Sequence, residues 1–229
     1  MEKEEVQNNP VEPKVKRENK VNKYYLGLEE LNKIIDTAES LRDRVILKIL
    51  VRTGIRRFEL CNLLVKDINF DNKNLFIAHG KGNKQRSVPV DEDTLQDIKF
   101  YLNGRRYGKL IQSNNKTSDG IDESRINVIV SKISEKAGIK NPDPNKKHLN
   151  PHIFRHSFVR NMIKLGFPQS YVQEVVGHED IRTTIRMYGK PAERDVNEVY
   201  QEKIKGMYKK WIYERERSGN NDYFNKNNK

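Results

Sequence analysis

The sequence predicts an α+β fold: mostly helical, with one small three-stranded antiparallel sheet set into it. Three observations lead there. Apolar residues recur at helical spacing through most of the segment from Tyr24 to Val176. Between residues 67 and 90 that period gives way to three short apolar or alternating runs with turn-rich joints. From "DEDTLQDIKFYLNG" onward the helical period returns.

Residues 1–22 are rich in Glu, Lys, Asn and Pro and offer too little apolar surface to offset the entropy of ordering, so they are expected to be a disordered tail. The globular region starts near Tyr24. "LEELNKIIDTAES" carries Leu28, Leu31, Ile34 and Ile35 on one helical face. "LRDRVILKILVRTG" gives a second helix, stopped by Gly54. "RFELCNLLV" gives a short third one with Leu60, Leu63 and Leu64 inward. Runs 67–70, 75–79 and 86–90 are the expected strands, and Gly80 to Lys84 form the tip of the second hairpin. An acidic first turn suits the helix that follows. Residues 105–121 lack a period and are expected as loop and extended chain. "ESRINVIVSKISEKAG" is amphipathic and ends at Gly138. Asn150 can cap a helix and Pro151 tolerates its first position, so a helix runs from 151 to about 165 and stops at Gly166. Pro168 opens another, ending at Gly177, and a short helical segment holds Thr183, Thr184 and Tyr188. Residues 192–217 form an amphipathic C-terminal helix and 218–229 a second disordered tail.

Lys plus Arg outnumber Asp plus Glu by 44 to 32, a formal charge of +12 over 229 residues. Such an excess favours a polyanionic partner, nucleic acid ahead of an anionic membrane. No apolar run nears the roughly 20 residues that span a bilayer, and "MEKEEVQNNP" has no apolar signal region. The one cysteine, Cys61, has no internal disulfide partner and suits a reducing cytoplasm as a small core residue. No carboxylate cluster suits a pair of metal ions.

The chemistry-bearing residues fall in three separated groups. His152 and Arg155 are three apart and share a face near a helix N-terminus, where amides, imidazole and guanidinium suit an anion. Alone, that spacing also fits a solvated face; His156 lies off it and is read as structural. His178 follows the helix-stopping Gly177, and Tyr188 comes later in a polar turn. Upstream, Arg56 follows the Gly54 turn, where it faces either a cleft or Glu59 one turn on.

Four quoted stretches resemble the signatures of the tyrosine recombinases, which include phage integrases and Xer-type resolvases. They are "TGIRRFEL" (Thr53–Leu60), "GKGNKQR" (Gly80–Arg86), His152 to His156 in the pattern His-x-x-Arg-His, and Gly177-His178 followed by "TTIRMY". They stand in the family's order and cover about residues 24–191. The resemblance implies a catalytic domain over 23–191 with the tyrosine-recombinase, DNA breaking–rejoining fold. It also implies site-specific cutting and rejoining of double-stranded DNA through a 3′-phosphotyrosyl intermediate, with no metal, ATP or other cofactor. Carried over by position, Tyr188 is the nucleophile. Arg56 and Arg155 hold the non-bridging oxygens. Lys81 protonates the leaving 5′-oxygen, with Lys84 as the alternative. His152 assists proton transfer at the tyrosine, and His178 hydrogen-bonds the phosphate. The family assembles as tetramers on DNA, and the 192–217 helix docks either on its own subunit or on a neighbour.

Two departures and two rival functions stand beside this. Only about 23 residues precede the catalytic region, where most such recombinases carry a DNA-clamping domain, so the chain is expected to be a minimal form or a piece of a longer one. Weaker, more salt-sensitive DNA binding is expected from it. The rivals are a catalytically silent DNA-binding regulator or architectural protein of the same fold, and a topoisomerase-like relaxing activity that shares the chemistry.

Overall fold

Ser40 and Gly54 bound the helix on which the rest of the fold is built. In the computed structural model the described residues are 24–78, 80, 85–113 and 119–177. Helix α2 (Leu41–Thr53) opens where the Ser40 hydroxyl accepts from the Asp43 N–H at 3.0 Å and closes at Gly54, whose φ of +64° is left-handed. Val45, Ile46, Leu47, Ile49 and Leu50 are fully buried, so apolar residues surround this helix rather than striping it. Helices α1 (Leu28–Asp36), α3 (Arg57–Asn62), α4 (Glu92–Leu102), α5 (Glu123–Lys136) and α6 (Pro151–Lys164) pack against it. Lys48 is buried on the α4 side, held by Asp97 at 2.6 Å and Asp93 at 2.8 Å. Arg44 meets Asp97 at 2.9 Å, and Arg52 meets Asp91 and Asp93 at 2.8 and 2.6 Å.

After α3 the chain makes a short 3₁₀ turn, Val65–Asp67, and enters the sheet. Strands β1 (Ile68–Asn69), β2 (Asn74–Ile77) and β3 (Arg86–Pro89) are antiparallel in that order. The register pairs Leu75 with Val88 and Ile77 with Arg86, which puts Leu75, Ile77 and Val88 into the core and leaves Phe76 outward. Pro89 sits on an edge strand, where its missing donor is harmless. All three strands are one or more residues shorter than the apolar runs that announced them.

Two expectations are corrected. Leu64 is not an inward helix residue: α3 ends at Asn62, and Leu64 pairs with Lys109 in an isolated antiparallel bridge. The Leu110 N–H donates to Leu63 O at 2.8 Å and the Val65 N–H to Gly108 O at 3.0 Å, so the loop after α4 satisfies backbone groups a longer helix would have used. Leu28 is 52% exposed because it occupies the first position of α1, before that helix meets the core.

Helix α6 begins as its sequence dictates. The Asn150 side chain accepts from the His152 and Ile153 N–H groups at 3.0 and 3.3 Å, with Pro151 at the first helical position. Its buried polar residues bind the chain ahead of α1: the Leu26 N–H donates to Ser157 Oγ at 2.8 Å, and Asn161 Nδ2 donates to Leu26 O at 3.2 Å. Helix α7 (Gln169–Val176) docks on α6 through Val159, Ile163, Val172 and Val176, a small cluster distinct from the main core. Phe158 packs against both clusters. Gly177 ends α7 with φ +65°. Among the described residues, no helix is long and apolar enough to cross a membrane.

Candidate active site

The turn Thr53–Arg56 supplies the first wall of an open pocket of about 450 Å³. Thr53 Oγ1 donates to Ile49 O at 2.5 Å, which secures the last turn of α2. Gly54 then reverses the chain in the left-handed region, and a Cβ there would lie 2.5 Å from the Phe158 ring. The pocket is lined by Ile55, Arg56 and His152 with Arg155, and at its rim by Arg57 and Asn127.

Arg155 is 5% exposed. Its Nη1 donates to Gly54 O at 2.7 Å and its Nη2 to Val176 O at 2.6 Å, so it ties the end of α2 to the end of α7. Arg56 enters from the other side. Its Nη1 donates to Glu59 Oε1 at 3.0 Å, the pairing that one-turn spacing suggested, and its Nη2 donates to Gly177 O at 3.3 Å. Helices α2, α3, α6 and α7 thus bring together two guanidiniums that lie far apart in the chain.

Glu59 sits beneath them with no side-chain exposure. Its Oε2 accepts the Arg56 N–H at 2.8 Å. Both oxygens accept from Arg86 at 2.8 Å, in a two-pronged pair. Burial pushes the Glu59 carboxyl up, yet the bonds and charge of Arg86, with those of Arg56, outweigh it and hold the carboxyl below its ordinary value. The sequence offered Glu59 only as a partner of Arg56 and gave Arg86 no role. A signal was present: Arg86 shares the inward strand face of Val88, and an arginine there needs a buried acid.

His152 and Arg155 line the same pocket, as their spacing implied, but at different depths, since the His152 residue is exposed. Partial desolvation of its ring, then the charges of Arg155, Lys146, Arg56 and Arg57, lower its pKa. His156 corrects the sequence reading. It is buried, yet its Nε2 lies 2.8 Å from His152 Nε2 and the rings meet edge to face at 4.3 Å. Four residues apart on a helix is the same face, and at that distance one ring can donate to the other, the direction set by the tautomers.

Lys81, His178 and Tyr188 lie outside the described residues, as do the alternative Lys84, the tails and the 192–217 helix. What is described is where the chain leaves for them: Arg86 and Ile77 close the hairpin that carries Lys81, and Gly177 immediately precedes His178. Among the described residues no group of three or more His, Cys, Asp or Glu side chains is placed to hold a metal ion.

Residues 25–195 match the phage integrase family. The chain belongs to the phage integrase family. It is 31% identical over 176 residues to tyrosine recombinase XerA of Pyrococcus horikoshii, covering 76% of this chain and 59% of that protein. It is 35% identical over 161 residues to the XerA of Pyrococcus furiosus, covering 68% and 54%. The chain therefore spans somewhat over half the length of these relatives. A crystal structure of XerA recombinase superposes with a TM-score of 0.65 at 26% identity, over 86% of this chain and 66% of that one. XerH site-specific recombinase bound to its difH substrate, a pre-cleavage complex, gives 0.62 at 26% identity, over 77% and 53%. The helix-rich domain with its three-stranded sheet is the tyrosine-recombinase fold.

Proposed function

We propose that this phage integrase family member is a site-specific recombinase that cuts and rejoins double-stranded DNA through a 3′-phosphotyrosyl intermediate. The observation that carries it is the convergence of Arg56 and Arg155 on one pocket with His152 at its mouth. Two planar cations from separate segments suit the paired non-bridging oxygens of a phosphodiester and the charge that builds on them as a fifth oxygen arrives. XerH, similar over much of the chain, is seen bound to its DNA before and after cleavage.

In this mechanism the Tyr188 phenol loses its proton to His152 and its oxygen attacks phosphorus. The bond to the 5′-oxygen breaks, and Lys81 gives that oxygen a proton. Arg56, Arg155 and His178 hold the phosphate throughout. The phosphodiester energy is kept in the tyrosyl link, so attack by a 5′-hydroxyl restores the strand with no external energy source. We assign the catalytic domain to residues 23–191, the C-terminal helix to 192–217 and tails to 1–22 and 218–229. Recombination needs two duplexes cut in concert, so the working form we propose is a homotetramer on DNA, in the cytoplasm; the mass of the protein–DNA complex in solution tests it.

A nicked suicide duplex tests the chemistry. The probe is a duplex that the protein itself selects from a randomised pool, nicked near the scissile position. A covalent protein–DNA adduct on a denaturing gel is expected, and it vanishes in Tyr188→Phe. Sequence-selective binding without adduct overturns the proposal in favour of a silent DNA-binding protein. Relaxation of supercoiled plasmid without sequence preference overturns it in favour of a relaxing enzyme.

A further inference from the structure

Arg86 belongs to the hairpin stretch "GKGNKQR", but none of the steps above uses it. It is the first residue of β3 after the hairpin tip, opposite Ile77. Its side chain is 10% exposed and reaches two other elements. Nη1 and Nη2 donate to Glu59 Oε1 and Oε2 at 2.8 Å, and Nε donates to Val175 O at 2.9 Å. One guanidinium thus joins β3, α3 and α7.

Each connection bears on a group in the pocket. Glu59 also accepts both the backbone N–H and Nη1 of Arg56, so the carboxylate that Arg86 fixes is the one that aims Arg56. At the α7 terminus three successive carbonyls go to three different arginines: Val175 to Arg86, Val176 to Arg155 and Gly177 to Arg56. The carbonyl end of a helix carries partial negative charge and lacks its own donors, so cations there hold it firmly. Contact is close: a Cβ on Gly177 would lie 3.1 Å from Arg86 Nη1.

We propose that Arg86 is a positioning residue for strand cleavage. From the foot of the Lys81 hairpin it sets the carboxylate that aims Arg56 and the helix end from which the chain runs on to His178. This role rests on the cleavage chemistry proposed above. Arg86 is too covered to add to the DNA-facing charge, so its loss falls on the rate of the chemical step and not on affinity. Lysine keeps the charge and much of the stem but meets only one carboxylate oxygen, without the planar fork.

The experiment compares wild type and Arg86→Lys on the same nicked duplex, reading Kd and the single-turnover rate of adduct formation separately. Misaiming a reacting group by about an ångström costs about 100-fold in rate, and a loss of that order is expected with Kd changed less than about threefold. Arg86→Lys cleaving at the wild-type rate, or losing affinity and rate by the same factor, overturns the role. Wild-type protein that forms no adduct sinks the recombinase reading itself, a separate result. A second measurement avoids any dependence on the variant's folding. In ¹⁵N-labelled wild-type protein the Arg86 guanidinium N–H signals should be resolved and slowly exchanging, because three bonds lock the group. A freely rotating Arg86 guanidinium overturns the proposal.

Discussion

At the scale of single residues, the site is a study in how cations are kept close without mutual expulsion. Arg56 and Arg86 share one buried carboxylate, and Arg155 rests on two backbone carbonyls. Among the described residues His152 meets only positive charges, which favours its neutral form. Its folded-state pKa lies below the ordinary value of about 6.5, so near pH 7 it is a base able to take a phenol proton. The sign for stability follows. Above about pH 6.5 the ring is neutral folded or unfolded and costs nothing; as pH falls below that, the unfolded chain binds the proton first and stability is lost down to the folded pKa. An NMR titration of the His152 ring in DNA-free protein should show a midpoint below about 6.5, and one at or above it contradicts the electrostatics described here. The His152–His156 contact makes that titration a property of the pair. It was legible as i,i+4 spacing, but a buried histidine draws less notice than an exposed one with a charged neighbour.

At the scale of elements, the stops mattered more than the helices. Gly54 is left-handed, and a Cβ on it would lie 2.5 Å from Phe158, the ring that packs against both the main core and the α6–α7 cluster. Gly54→Ala is expected to cost about 1–3 kcal/mol from backbone strain, with a further loss from displacing that ring. Denaturant unfolding of the variant measures it, and an unchanged midpoint refutes it. Helix signals such as Asn150–Pro151 and the glycines at 54, 138, 166 and 177 are local chemistry, which is why those boundaries could be placed from the sequence within a residue or two. What could not be placed depends on partners distant in the chain. Leu64 left its helix for a bridge with Lys109, and Glu59 became an internal anion only because Arg86 arrives from a strand. That Arg56, His152 and Arg155 line one pocket could be anticipated because they sit at helix starts and turns. Lys81, His178 and Tyr188 lie outside the described residues, and the roles proposed for them rest on resemblance.

At the scale of the whole molecule, charge is sorted by face. Arg44, Lys48 and Arg52 on α2 are paired with Asp91, Asp93 and Asp97 at α4, which removes them from the pool that can meet a polyanion. The formal +12 therefore acts through other surfaces, the pocket among them. Binding to duplex DNA should weaken linearly in a plot of log affinity against log salt, with a slope of about 0.9 per phosphate neutralised. Nanomolar binding indifferent to salt contradicts that expectation. Arg155 and Arg56 are seated on the carbonyls of Gly54, Val176 and Gly177, which belong to the main chain. A carbonyl is present whichever amino acid is encoded, so drift at 175 and 176 can swap one aliphatic group for another without unseating an arginine. Heritable fragility is concentrated instead where a side chain, or the lack of one, is indispensable: the carboxylate at 59 and the two glycines.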